Sequence, residues 1–149
     1  METLGAGLAR IVDSNEPALL RVTEEESARP ILSGGWSRKQ VLGHLIDSAS
    51  NNHQRFVRAS LAESLEFPAY DQNGCIQVQH PESAAWPVLV SLWASYNHYL
   101  AHIISHLPLA KLDVICRIGS NEPVTLRYLA EDYVRHLVHH LDQMILPGA

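Results

Sequence analysis

Apolar positions recur along this chain at three- and four-residue intervals over four long stretches, the spacing of helices that bury one face. In the first stretch Leu4, Leu8, Ile11, Leu19, Leu20 and Val22 predict a helix over residues 3–27 that stops ahead of Pro30. Ser33-Gly34-Gly35 predicts a turn, and Ser37 a cap for a second helix over residues 38–65 with Val41, Leu42, Leu45, Ala49 and Phe56 as its core stripe. Turn formers fill residues 67–74. A third helix is expected from residue 81 or 82 to Pro108 around Leu89, Trp93, Tyr96, Leu100, Ile103 and Leu107. A second loop holds Gly119-Ser120-Asn121-Glu122-Pro123. Thr125 then caps a fourth helix that ends before Pro147 and is striped by Leu126, Leu129, Ala130, Tyr133, Leu137, Leu141 and Met144. Residues 75–78 form at most a short extended piece, on which no sheet is built. The pattern predicts an all-α four-helix bundle occupying residues 1–149 as a single domain.

Composition agrees with a packed fold: at 46% hydrophobic and 18% charged, the chain is neither disordered nor membrane-like. No apolar run approaches the roughly 20 residues needed to span a bilayer. The opening METLGAGLARIVDSNE places an acid at position 2 and lacks a basic segment followed by an apolar one, so a cytoplasmic location is expected. Net charge is −5 and no basic run exceeds Arg38-Lys39, which leaves no footprint for nucleic acid. Cys75 and Cys116 form no CxxC pair and are read as idle or buried thiols. The unusual count is nine histidines, side chains that titrate near neutrality and commonly bind metals.

Helical periodicity sorts these histidines by face. Measured from Tyr133, His140 falls at about −20° and His136 at about −60°, both beside the apolar stripe, whereas His139 falls at about 240° and points outward. His136 and His140 are four residues apart, so both rings can turn to one ion. His98, His102 and His106 share that spacing but lie at about 200°, 240° and 280° from Tyr96, on what should be a solvated face. The second helix does not decide. His44 is displaced by about 100° from Leu45, on a polar strip with Gln40, Asp47 and Asn51, while His53 lies nearer the stripe.

Longer motifs add to this pattern. Gly35-Trp36-Ser37 leading into Val41-Leu42-Gly43-His44-Leu45-Ile46-Asp47 resembles the Trp-Ser turn and His-Leu-x-Asp helix of the DinB/YfiT-like superfamily. His136-Leu137-Val138-His139-His140-Leu141-Asp142-Gln143-Met144 is similar to its closing His-x-x-x-His-x-x-Gln-Ile/Met pattern. The Tyr70-Asp71-Gln72 loop and Pro123-Val124-Thr125-Leu126 also resemble segments of that family. The resemblance implies a DinB-type four-helix bundle, often a homodimer, with a divalent metal held by His44, His136 and His140. His44 enters on the resemblance alone.

Three imidazoles leave a coordination position open, as catalytic sites do. Zinc, nickel, iron(II) or manganese would each suit such ligands. The resemblance implies activation of a low-molecular-weight thiol, such as bacillithiol or mycothiol, for S-transfer to an electrophile. The alternatives are a metal-dependent hydrolase acting through activated water, and a non-catalytic metal-binding or stress-related bundle. Asp47, three residues after His44, is the candidate catalytic carboxylate: it would orient a ligand ring or act as a base, with a plain surface acid as its rival. Gln143 and Asp132 fall on the outer side of the last helix and receive no role. Tyr70, Asp71 and Gln72 would roof the pocket, and Trp36, Trp86 and Trp93 are expected in packing.

Overall fold

The computed structural model describes residues 2–32 and 35–145. The turn expected at Ser33-Gly34 and the stop at Pro147 lie outside the described residues. In chain order the elements are α1 (Glu2–Arg21), α2 (Glu24–Ala28), α3 (Arg38–Ser60), β1 (Ser64–Phe67), α4 (Gln72–Gln79), α5 (Trp86–Ser105), β2 (Ile115–Ile118), β3 (Val124–Thr125) and α6 (Leu126–Ile145). The four long helices α1, α3, α5 and α6 make a four-helix bundle.

The first expected helix divides in two. Thr23 and Glu26 form a reciprocal capping box, each side chain bonding the other's backbone N–H, and this restarts the chain as α2. The same device opens α3, where Ser37 and Gln40 cap one another. At its far end α3 stops at Ser60, short of the expected residue 65, because Ser64-Leu65-Glu66-Phe67 alternates and pairs as a strand. β1 runs parallel to β2, with Ser64 opposite Ile115 and Phe67 opposite Ile118, and β3 returns antiparallel to β2. This small sheet was not expected. Residues 75–78, expected at most to be extended, lie inside α4, where Asp71 caps the helix by accepting from the Gly74 N–H at 3.0 Å.

Going round the bundle, the order is α1, α5, α3, α6: α5 packs on α1 and α3, and α6 on α3 and α1. Helices successive in the chain, α1 with α3 and α5 with α6, are therefore diagonal partners, and α2 and the sheet fill the connections between them. Leu8, Leu19, Leu42, Leu45, Phe56, Trp93, Leu100, Leu126 and Leu137 are buried at the centre. α1 approaches α5 closely through Gly5, where a Cβ would lie 2.0 Å from Ser105 Oγ and 2.4 Å from the Ala101 carbonyl.

One polar cluster fixes the start of α3. Lys39 is buried, pairs with the Glu24 carboxylate at 2.7 Å and donates to the Ala84 carbonyl at 2.7 Å. Glu24 also accepts from the Trp86 backbone N–H, and the Trp86 indole donates to the Leu19 carbonyl. Four segments thus meet one turn before His44. Among the described residues, no helix is long and apolar enough to cross a membrane.

Candidate metal centre

Where α3 faces α6, three histidines converge. His44 Nε2 stands 3.2 Å from His136 Nε2. Ring centroids are 5.1 Å apart for His44–His136, 5.0 Å for His44–His140 and 4.6 Å for His136–His140, with interplanar angles of 78°, 77° and 79°. One nitrogen from each ring falls within 4.8 Å of the other two. Three rings set nearly at right angles to one another cannot stack, and with a nitrogen of each so close together they could share one ion.

His44 is 1% exposed. Its angle from Leu45 was read correctly, but off-centre did not mean exposed. α3 packs on both α5 and α6, so its buried arc is wider than a single apolar stripe and also takes in Ser48, Asn52 and Arg55. His53 is half-buried instead against α5, its Nδ1 2.9 Å from Tyr96 Oη. His98, His102 and His106 are exposed, and so is His139, as their helical angles predict.

Burial holds His44 well below the ordinary histidine range, at about 4, and the nearby His136 and His140 lower it further. His136 and His140 are also lowered, first by burial. Among the described residues no carboxylate hydrogen-bonds to any of the three, so they are neutral near pH 7. His44 Nδ1 is buried without a partner, an arrangement that is unfavourable for a ring serving packing alone. His140 Nδ1–H donates to Gln143 Oε1 at 3.0 Å, which leaves the lone pair on Nε2. The neutral, convergent donor set fits a divalent cation.

Gln143 is exposed, as its helical angle predicts, yet from there it orients a ring one turn away; the signal was its i+3 spacing from His140. Asp47 does not orient His44. Both its oxygens accept from Gln79 Nε2 at 2.9 Å, and burial raises its pKa. Trp36 lies against the His44 ring, with centroids 5.3 Å apart.

Two openings flank the centre. On the His136 side, a cleft of about 260 Å³ is lined by Ser48, Asn52, Arg55, Tyr70 and Asp132. On the His140 side, a groove of about 360 Å³ is lined mainly by Ile31, Leu32, Trp36 and Val41. Of the loop expected to roof the pocket, Tyr70 and Gln72 line the cleft, whereas Asp71 is spent on capping α4.

The family model of the DinB superfamily matches residues 9–144. The chain belongs to the DinB superfamily. It is 33% identical over 85 residues to a Bacillus pumilus (strain SAFR-032) protein named "Putative metal-dependent hydrolase", a match covering 57% of this chain and 47% of the relative. The match thus spans about half the length of that relative. Among solved structures the chain is similar in fold to YfiT from Bacillus subtilis, described as "a probable metal-dependent hydrolase with an unusual four-helix bundle topology". That likeness has a TM-score of 0.78 at 21% identity and covers 94% of this chain and 83% of YfiT. The diagonal placement of successive helices is how this DinB chain departs from a simple up-and-down bundle.

Proposed function

We propose that this DinB protein is a metal-dependent hydrolase of a small-molecule substrate, with His44, His136 and His140 holding one divalent cation. The observation that carries it is the convergence of three neutral imidazoles, none paired with an acid, beside a polar cleft. The name of the Bacillus pumilus relative supports the same class. Bound there, a divalent cation supplies Lewis acidity and lowers the pKa of water toward neutrality. Gln143 sets the tautomer of His140, and Trp36 and the bundle core keep solvent from His44. Asp47 is the carboxylate this proposal assigns to proton transfer: burial lifts its pKa, and Gln79 steadies it without neutralising it.

A second reading is S-transfer from a low-molecular-weight thiol to an electrophile. It is favoured by the two separate openings, one polar and one apolar, which suit a reaction with two substrates.

Untagged protein should carry near-stoichiometric metal by mass spectrometry. His44→Ala, His136→Ala and His140→Ala should each lose it, while His139→Ala and His102→Ala retain it. Equal loss in the controls, or no metal after reconstitution, would remove both readings. Metal-loaded protein that cleaves ester or amide substrates without added thiol supports the hydrolase; turnover that requires a thiol supports the transferase.

A further inference from the structure

Beyond the histidines, the cleft contains a cation, Arg55, that pairs with no carboxylate among the described residues. Arg55 is 9% exposed, and its Nε is buried without a hydrogen-bond partner. Its guanidinium lies over the Phe67 ring at 5.4 Å. A contact with an aromatic ring offers no hydrogen-bond acceptor in the guanidinium plane, so the buried Nε–H stays unpartnered. Burial lowers its pKa, though an arginine remains charged. A buried charge without a counter-ion is costly to keep, and this one lines an open cleft.

The surroundings suit an anion. His44, Ser48, Asn52 and Arg55 follow one another at spacings of four, four and three, so they form one ridge of α3 running from the candidate metal centre into the cleft. Tyr70 lines the same cleft as Arg55; burial raises the tyrosine's pKa, and the nearby Arg55 charge partly offsets this. The acid in the cleft, Asp132, is paired with Arg135 at 3.3 Å and so does not serve Arg55. Along the helix Arg55 lies about 16 Å from His44, three turns away on the same side of α3.

We infer that Arg55 is a carboxylate-binding residue, and that the substrate is a monoanion whose carboxylate sits on Arg55 while its reacting group reaches the histidines. A guanidinium fork matches the two oxygens of a carboxylate. One positive charge, with Asp132 at the same cleft and Asp47 near Tyr70, suits a single negative charge better than the two of a phosphate. The direction of the substrate rests on the hydrolase proposal; the carboxylate site itself does not.

The test uses chelator-treated protein labelled with ¹⁵N-arginine and titrated with benzoate, benzamide and inorganic phosphate. Benzoate should move the Arg55 Nε–H resonance saturably, and benzamide, the same shape without the charge, should not. Arg55→Met should weaken benzoate binding at least tenfold, and Arg55→Lys should restore part of it. An Arg55 resonance that ignores benzoate, responds equally to benzamide, or binds phosphate more tightly than benzoate overturns the inference. The wild-type resonance decides this even if Arg55→Met fails to fold. His140→Ala separates the two proposals, because it should lose metal and keep benzoate.

Discussion

Acidifying the metal-free protein should destabilise it through its own candidate site, with His44 as the largest single contributor. An unfolded histidine titrates near 6.5, whereas His44 in the fold is held at about 4. Between those values the unfolded chain takes a proton that the folded chain refuses, so stability falls as pH falls and is fully present only above 6.5. At about 1.4 kcal/mol per pKa unit, the loss from pH 8 to pH 5 is at most about 2 kcal/mol, and it levels off at about 3 kcal/mol below pH 4. For a chain of 149 residues, 2 kcal/mol corresponds to a Tm shift of about 6 °C. The assay is thermal melting by circular dichroism in chelator at pH 8, 7, 6 and 5, comparing wild type with His44→Leu. Leucine fills the same buried position without a proton to bind or an orphaned Nδ1. The two melts should lie close together at pH 8 and diverge as pH falls, with the variant the more stable at pH 5. His136 and His140, also lowered by burial, will leave both proteins some residual slope. Parallel curves from pH 8 to pH 5 would refute the reasoning.

Three further predictions concern the supports of the site. Gln143→Ala removes the acceptor for His140 Nδ1–H and should weaken metal affinity about 10- to 100-fold by competition titration, with the far-UV spectrum unchanged. Lys39→Met leaves the Ala84 carbonyl without its donor and should cost about 1–3 kcal/mol in urea unfolding, an effect that Lys39→Arg should partly repair. Gly5→Val places side-chain atoms where Ser105 and the α5 backbone already stand and should cost about 1–3 kcal/mol, read as a lower urea midpoint at unchanged slope.

Local signals carried the parts of this fold that are local. The helical stripes around Leu42, Trp93 and Leu137 located three of the four long helices, and the cap at Ser37 placed the start of α3, because a capping box is closed within four residues. Thr23 and Glu26 carry the same signature, yet the apolar stripe running on to Val22 masked it. The strands were missed for a different reason. Ser64–Phe67 is four residues long, and its pairing partner lies about fifty residues away, so nothing nearby marks it as a strand. Asp71 looked like a roof residue and turned out to be a helix cap, since both roles ask for the same side chain in a loop.

For the candidate site, the sequence alone determined that His136 and His140 share an inward face and that His98, His102, His106 and His139 do not. Those facts follow from 3.6 residues per turn and from which side is apolar. The family motif added His44, which periodicity had left off-centre. Only the tertiary structure decided that α3 is packed on two sides, by α5 and by α6, which buries His44 and makes Ser48, Asn52 and Arg55 the wall of a cleft. It likewise decided that Asp47 turns to Gln79 and that Arg55 is buried without an acid. Each of these depends on which segment lies across from which, and among the long helices α1 and α3, like α5 and α6, are diagonal, whereas α3 and α5 are adjacent. A single helix fixes the angles of its own side chains; its neighbours fix which of those angles face water.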